Sequence, residues 1–262
     1  MHNLKHIENF LFDMDGTLYI GNHLFEGVSQ LFDTLNTKKK NFLLLTNNSS
    51  KDKSLYQKKW QGFGIDMPLE KILTSGQATF QYLKSQTSIK SVYVLGTDSL
   101  KKEAIDSGFK LQDVNPDAVV LGYDTSLTYE NLVKACLLLQ KNKFYYATHP
   151  DINCPSELGP LPDCGAIIEM IYASTGRRPK IFGKPNQEMI DAALQRINGK
   201  KDNTAIVGDR LYTDMEMGYR AHLTTILVLT GETKREDLKN EIRQPDLIME
   251  NISEITSLIS TY

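Results

Sequence analysis

Short apolar runs alternate along this chain with stretches in which apolar residues recur every three or four positions. The runs predict buried strands, and the helical spacing, as at Leu132, Ala135 and Leu139, predicts amphipathic helices. Strands that alternate with helices in this way favour right-handed crossovers and a parallel sheet, so the predicted fold class is α/β. The candidate strands are Asn9–Asp13, Asn41–Thr46, Ser91–Leu95, Ala118–Gly122, Phe144–Thr148, Lys180–Phe182, Thr204–Gly208, Thr225–Val228 and Asp246–Met249.

Two stretches interrupt this rhythm. Thr74-Ser75-Gly76 is predicted to begin a helix that runs through Tyr82 and Leu83. The segment His149–Gly165 holds four prolines and two glycines, which predicts a long loop that is either functional or an irregular connector. Together these features suggest a discontinuous design, in which both ends of the chain form a core and the middle is an inserted second α/β unit.

Composition narrows the possible partners and the compartment. Apolar residues make up 40% of the chain and charged residues 24%, with a formal net charge of -2. This balance gives no reason to expect nucleic acid or an anionic membrane as a partner. Three cysteines without a CxxC pair favour a reducing compartment. With neither a signal-peptide pattern nor an apolar segment of about 20 residues, we expect a cytoplasmic protein.

The most informative motif is Asp13-Met14-Asp15-Gly16-Thr17, which follows the apolar run Phe10-Leu11-Phe12. In extended backbone the side chains of residues i and i+2 project to one face, so Asp13 and Asp15 can address the same ligand. Ligands in open α/β sheets bind at the carboxyl ends of strands, which is where this pair lies. Taken alone, the motif is equally compatible with a polar turn.

Three further polar motifs follow predicted strands, and each is ambiguous by itself. Thr46-Asn47-Asn48-Ser49-Ser50 predicts either an anion site or a simple helix N-cap. Gly183-Lys184-Pro185 offers a lysine to a phosphate or to solvent, with Pro185 suited to the first position of a helix. In Gly208-Asp209-Arg210-Leu211-Tyr212-Thr213-Asp214, Asp209 could join Asp13 in holding Mg²⁺ or could belong to an acidic turn.

The order of these four motifs resembles that of the haloacid dehalogenase (HAD) superfamily of phosphohydrolases. Thr46-Asn47-Asn48-Ser49, the Gly208–Asp214 motif and Leu229-Thr230-Gly231-Glu232-Thr233 look like its NagD-like, 4-nitrophenylphosphatase-like branch, subfamily IIA. The resemblance implies a Rossmann-like parallel-sheet core with an inserted α/β cap domain. The implied ranges are 1–80 and 179–262 for the core and 81–178 for the cap.

The resemblance also implies a site and a mechanism. Asp13 would be the nucleophile that forms an aspartyl-phosphate, and Asp15 would be the general acid and then the general base. Mg²⁺ would be held by the side chains of Asp13 and Asp209 and by the backbone carbonyl of Asp15. Thr46, Asn47 through its backbone, and Lys184 would bind the phosphoryl oxygens. Asp214 would lie outside this set and orient Lys184 or a water on the metal.

The implied function is a Mg²⁺-dependent phosphatase of small phosphomonoesters, such as nucleoside or sugar monophosphates and 4-nitrophenyl phosphate. Transfer of the phosphoryl group to an acceptor other than water, or a non-catalytic phosphoryl switch, stays open as an alternative. Leu161–Gly165 occupies the place of the cap loop that lies over the leaving group, with Asp163 where relatives often have glycine and Cys164 expected to be a buried, inert thiol. Relatives often pair through their caps, which makes a homodimer possible.

Overall fold

The computed structural model describes residues 4–86, 88–141, 144–154 and 159–261. The strands of its two larger sheets include close matches to the predicted apolar runs. The strands are β1 (Asn9–Asp13), β2 (Tyr19–Ile20), β3 (His23–Leu24), β4 (Asn41–Thr46), β5 (Ile72–Thr74), β6 (Ser91–Leu95), β7 (Lys110–Leu111), β8 (Ala118–Leu121), β9 (Phe144–Ala147), β10 (Asn153–Cys154), β11 (Leu161–Pro162), β12 (Lys180–Ile181), β13 (Thr204–Gly208), β14 (Thr224–Val228) and β15 (Leu247–Met249).

The helices fill the intervals between these strands, and the predicted helical spacings fall within them. The α-helices are α1 (Val28–Thr37), α2 (Lys53–Gly62), α3 (Ser75–Ser85), α4 (Asp98–Asp106), α5 (Tyr129–Lys141), α6 (Cys164–Thr175), α7 (Gln187–Ile197), α8 (Glu216–Ala221) and α9 (Ile252–Ser260). A π-helical turn spans Leu211–Met215 and leads directly into α8. Among the described residues, no helix combines the length and the apolar character needed to cross a membrane.

The chain divides into two compact units, and the first is built around a six-stranded sheet. This unit comprises Met1–Thr46, Lys59–Leu73 and Ile190–Tyr262, and its strand order is β15-β14-β13-β1-β4-β5. The central strand β1 runs parallel to β13 on one side and to β4 on the other. Every residue of β1 is buried, as expected for an apolar run covered on both faces.

The second unit comprises Asn47–Lys58 and Thr74–Met189 and contains a five-stranded sheet of order β12-β9-β8-β6-β7. All neighbouring pairs in this sheet are parallel. Its core joins residues of β6, β8 and β9 to apolar residues of α5 and α6. The α/β class with parallel sheets is therefore confirmed for the chain.

The unit boundaries and the predicted domain boundaries describe different divisions of the chain. Both are discontinuous, with a middle unit between two outer segments. The compact second unit, however, also includes residues 47–58, 74–80 and 179–189. The functional ranges 1–80, 81–178 and 179–262 stay a prediction.

The segment His149–Gly165 is less irregular than a long loop. It contains the antiparallel pair β10–β11, and α6 already begins at Cys164 with Asp163 as its N-cap. Part of the predicted loop, residues 155–158, lies outside the described residues.

Candidate active site

In the first unit, three of the predicted site residues lie at the same edge of the sheet. Asp13 is the last residue of β1, Thr46 is the last residue of β4, and Asp209 directly follows β13. Asp13 pairs in register with Leu45, and Phe12 pairs with Val207, so the three positions lie side by side at adjacent strand ends. All three residues are buried. Parallel packing of apolar strands thus gathers polar residues that are far apart in sequence.

The turn after β1 depends on Gly16. Its φ of 93° is a left-handed value that residues with a Cβ avoid. A Cβ placed there would lie 2.5 Å from Asp209 Oδ2. The amide of Gly16 donates to the carbonyl of Tyr19 at 2.8 Å, which closes the turn. The glycine of the motif therefore allows both the backbone bend and the close approach of Asp209.

Asp13, Asp209 and Asp214 form a cluster of carboxylates. One oxygen from each lies within 4.8 Å of the others. The Thr17 hydroxyl lies 3.3 Å from Asp13 Oδ2 and 3.2 Å from Asp209 Oδ1, so it donates to this carboxylate pair. All three aspartates were among the residues predicted from sequence, whereas this contact of Thr17 with the carboxylates was not predicted.

The cluster is electrostatically unfavourable without a cation. Burial, followed by the neighbouring charges of Asp13 and Asp214, raises the pKa of Asp209 to about 7. The amide of Glu232, which donates to Asp209 Oδ2 at 2.7 Å, acts in the opposite direction on this pKa. A divalent cation would offset the same repulsion, and a set of carboxylate oxygens suits a hard cation such as Mg²⁺.

Asp214 is fully buried in the π-helical turn. Its Oδ2 accepts a hydrogen bond of 3.2 Å from the amide of Arg210. The Arg210 guanidinium in turn lies 2.9 Å from Glu232 Oε2. Asp214 therefore belongs to the cluster and also fixes the backbone that follows Asp209.

Asp15 has different surroundings from Asp13. Its side chain is 50% exposed, and its carboxylate is not part of the buried cluster. It accepts a hydrogen bond from the Tyr19 hydroxyl and lies near the Lys59 ammonium. The two aspartates of the motif are thus held by separate sets of neighbours, which the sequence pattern did not identify.

In the second unit, Asn47 and Lys184 are hydrogen-bonded to one another. The Asn47 side chain accepts from the Lys184 amide at 2.7 Å and donates to the Lys184 carbonyl at 3.0 Å. Both residues are buried. The expectation that Pro185 begins a helix was wrong, because α7 starts at Gln187. The Asn47 side chain, rather than a helix start, holds the lysine segment.

The alternative reading of the Thr46–Ser50 motif as a helix N-cap is also corrected. Helix α2 begins at Lys53, and Asp52 caps it by accepting from the amides of Ser54 and Leu55. Ser49 instead accepts hydrogen bonds from the amide of Tyr123 and the hydroxyl of Thr148. The polar residues after β4 are therefore available for other contacts than capping.

A second group of side chains, not singled out as a cluster from sequence, lies at the start of α6. Ligand atoms of His149, Asp151 and Asp163 lie within 4.8 Å of one another. His149 Nε2 lies 2.9 Å from Asp163 Oδ1, and Nδ1 lies 2.9 Å from the Thr148 hydroxyl. These hydrogen bonds account for the positions of His149 and Asp163, and the Asp151 carboxylate accepts from the side-chain amide of Asn47 at 3.1 Å.

Cys164 follows this group as the first residue of α6. It is buried, and burial, followed by the charge of Asp163, raises the pKa of its thiol far above the usual value. An inert thiol is expected under these conditions.

Comparison with known proteins shows the family to which the chain belongs. A family model described as haloacid dehalogenase-like hydrolase matches residues 10–110, and one described as HAD-hydrolase-like matches residues 181–255. The acid sugar phosphatase of Staphylococcus haemolyticus is 36% identical over 92% of each chain. The 5'-nucleotidase YutF of Bacillus subtilis is 32% identical over 96% of this chain and 98% of its own.

A solved structure also superposes on the chain. The 4-nitrophenylphosphatase from Thermotoga maritima has a TM-score of 0.95 and 45% sequence identity, covering 98% of this chain and 99% of that one. These matches extend over the carboxylate cluster, the Asn47 and Lys184 pair, and nearly all of the remaining chain. The chain therefore belongs to the haloacid dehalogenase-like hydrolases, in their NagD-like, 4-nitrophenylphosphatase-like branch, subfamily IIA, and is a hydrolase of the phosphatase type.

Proposed function

We propose that this protein is a Mg²⁺-dependent phosphatase that hydrolyses small phosphomonoesters through an aspartyl-phosphate on Asp13. The observation that carries the proposal is the buried cluster of Asp13, Asp209 and Asp214 at the carboxyl ends of parallel strands. The relatives support the substrate class, since they are named for sugar phosphates, nucleotides and 4-nitrophenyl phosphate. Nucleoside monophosphates, sugar monophosphates and 4-nitrophenyl phosphate are therefore the proposed substrates.

The donor set supports a magnesium ion. Asp13 and Asp209 would hold it through their side chains, and Asp15 would hold it through its backbone carbonyl. The repulsion that raises the pKa of Asp209 to about 7 is of the kind that a divalent cation removes. When bound, the ion offsets the repulsion between the anionic nucleophile and the anionic phosphate.

The chemistry is assigned to the side chains of the two motif aspartates. A carboxylate oxygen of Asp13 attacks phosphorus, the bond from phosphorus to the leaving oxygen breaks, and Asp15 gives its proton to that oxygen. Asp15 then takes a proton from water, whose oxygen attacks the aspartyl-phosphate. The bond to Asp13 breaks, and inorganic phosphate is released with the original carboxylate.

The remaining predicted residues are proposed to bind the phosphoryl group. Hydrogen bonds to the phosphoryl oxygens come from Thr46, from the backbone amide of Asn47 and from the side chain of Lys184. They stabilise the charge that develops on these oxygens. The hydrogen bonds from Asn47 to the backbone of Lys184 support a fixed position for this lysine. Asp214, bonded to the amide of Arg210, is proposed to orient groups around the cluster.

The test is turnover of 4-nitrophenyl phosphate by the wild type and by Asp13→Asn, with and without Mg²⁺. We expect hydrolysis that needs Mg²⁺ and that is lost in the variant by at least about a hundredfold. Absence of turnover by the wild type would refute the proposal that this protein is a phosphatase of this substrate class. With a substrate that carries a radioactive phosphoryl group, label that stays on Asp13 would favour a phosphoryl switch. Recovery of the labelled phosphoryl group on an added alcohol in preference to water would favour transfer to another acceptor.

The sequence-based expectations on compartment and assembly stay proposals. The structure describes all three cysteines and joins none of them in a disulfide, which suits the proposed cytoplasmic location. Pairing of two copies is proposed only by analogy with relatives.

A further inference from the structure

The carboxylate of Asp15 is held by two side chains that the sequence motif does not contain. Its Oδ2 accepts a hydrogen bond of 3.2 Å from the Tyr19 hydroxyl. Its Oδ1 lies 3.8 Å from the Lys59 ammonium. Each carboxylate oxygen of Asp15 therefore has its own neighbour, and together the two contacts restrict rotation of the carboxylate.

Tyr19 is placed rigidly by the fold. It follows the turn at Gly16 as the first residue of β2, and a backbone bridge links it to Asp15. The ring is fully buried, with its centroid 5.5 Å from that of Trp60 and 5.5 Å from that of Phe63. Such packing fixes the ring plane, so the hydroxyl of the buried ring contacts the half-exposed Asp15 carboxylate in a defined direction.

Lys59 approaches Asp15 across the same ring. Its ammonium lies 3.7 Å from the Tyr19 centroid and 6.0 Å from that of Phe63. The Lys59 side chain is only 18% exposed, in contrast to the long mobile lysines of surface ion pairs. The cation–π contact and the ion pair act together and confine the ammonium.

These contacts are better suited to orientation than to stability. An ion pair with a half-exposed carboxylate contributes little to folding, commonly below about 1 kcal/mol. Proton transfer, in contrast, depends strongly on geometry, because a donor must lie within hydrogen-bond reach of the reacting oxygen. A buried tyrosine and a confined lysine that converge on one carboxylate restrict the directions in which that carboxylate can present a proton.

We propose that Tyr19 and Lys59 are positioning residues that hold the Asp15 carboxylate in the orientation for proton transfer to and from the substrate oxygen. The proposal rests on the role of Asp15 as acid and base under the proposed function. Tyr19 and Lys59 make and break no bond in the reaction. Their effect is to keep Asp15 aligned while its proton passes to the leaving group and is replaced from water.

The test compares substrates that differ in their need for protonation. The phenolate that leaves phenyl phosphate is more basic than the one that leaves 4-nitrophenyl phosphate. Its departure therefore depends more on protonation by Asp15. We expect Tyr19→Phe and Lys59→Met to lower kcat/KM for phenyl phosphate about tenfold and to change that for 4-nitrophenyl phosphate less than about twofold. Lys59→Arg, which keeps the positive charge, should retain most of the kcat/KM for phenyl phosphate that Lys59→Met loses. Lys58→Met, on an exposed neighbour, is the matched control.

A double-mutant cycle shows whether the two residues act through Asp15. In an Asp15→Asn background, Lys59→Met and Tyr19→Phe should cause no further loss on phenyl phosphate. A loss that persists there, or an equal loss on both substrates, would overturn the proposal. Tyr19→Phe keeps the packed ring and removes only the hydroxyl, so it tests the positioning of Asp15 through the other contact if Lys59→Met does not fold.

Failure of the proposal can be told apart from failure of the proposed function. If Asp15→Asn slows phenyl phosphate selectively while the Tyr19 and Lys59 variants do not, only the positioning role is overturned. If Asp15→Asn slows both substrates equally, the acid role of Asp15 fails, and the positioning role fails with it.

Discussion

At the scale of the residue, Gly16 shows how one position can meet two separate demands. Its φ of 93° forms the turn that brings Thr17 back toward Asp13, and its missing Cβ leaves room for Asp209. Gly64 has a similar φ of 78°, but a Cβ there would meet nothing within 4 Å. Substitution of Gly64 would therefore introduce backbone strain alone, whereas substitution of Gly16 would also crowd the Asp209 carboxylate.

We expect Gly16→Ala and Gly64→Ala to lose similar folding free energy from the left-handed backbone, about 1–2 kcal/mol each. Only Gly16→Ala should also weaken Mg²⁺ binding, because its methyl group would displace Asp209. Urea unfolding of Gly64→Ala measures the backbone effect alone, and titration calorimetry with Mg²⁺ measures the effect on metal binding. Equal Mg²⁺ affinity in the two variants would contradict the assignment of Asp209 as a ligand.

Single residues also show where prediction of the site from sequence stops. Asp13, Thr46 and Asp209 could be placed together because each follows an apolar run, and parallel strands end at one edge. The partners of Asp15 could not be found in this way. Tyr19 and Lys59 lie on β2 and α2, and a short strand and a helix carry no signal of which side chains converge. The same holds for the bonds from Asn47 to Lys184.

At the scale of the element, apolar runs predicted the bounds of the larger strands well. Polar residues next to these runs did not predict the first residue of a helix. The bounds of β1, β4, β6 and β13 agree with the predicted ones. The two-residue strands β2 and β3 were not predicted, because so short a segment shows no periodicity. Helix α7 begins at Gln187 and α2 is capped by Asp52, since several adjacent polar residues could serve and tertiary contacts select among them.

Thr74 and Thr97 allow the contribution of a cap to be measured in context. The Thr74 hydroxyl accepts from the amide of Gln77 at the start of α3 and donates to the buried carboxylate of Glu103 at 2.8 Å. Thr97 caps α4 by accepting from the amide of Leu100, and its hydroxyl donates to the neutral Ser50 carbonyl at 2.9 Å. The two threonines differ chiefly in the charge of the acceptor.

We expect Thr74→Val to cost about 3 kcal/mol and Thr97→Val about 2 kcal/mol. Each loses a cap of about 1 kcal/mol, and a hydrogen bond to a charged acceptor contributes more than one to a neutral acceptor. Chemical unfolding followed by circular dichroism measures the order of the two losses. An equal or larger loss for Thr97→Val would contradict the expectation that the contact with Glu103 contributes more than the contact with the Ser50 carbonyl.

At the scale of the whole molecule, the residues proposed for the chemistry are divided between the two compact units. The three carboxylates of the cluster belong to the unit of the six-stranded sheet, whereas Asn47 and Lys184 belong to the other unit. A ligand that binds only the folded form stabilises the structure that holds its binding groups. Magnesium should therefore act first on the unit that contains β1 and β13.

Hydrogen exchange resolved by peptide tests this directly. We expect saturating Mg²⁺ to slow exchange in peptides that cover β1 and β13, where Asp13 and Asp209 lie, by about a hundredfold when its concentration is 100 times the dissociation constant. Peptides that cover β8 and β9 should change much less, because local openings in the second unit do not disrupt the carboxylate cluster.

The control is Asp209→Asn, which removes one carboxylate charge from the cluster and should abolish most of the Mg²⁺ effect while leaving the exchange of β8 and β9 as in the wild type. NaCl at the same ionic strength would separate binding from screening, because screening depends on ionic strength whereas Na⁺ is a far weaker ligand for a carboxylate cluster than a divalent ion. Equal protection of both sheets would mean that the protein opens in one cooperative step. The metal would then stabilise the two units together, and the division of the chain would have no counterpart in its energetics.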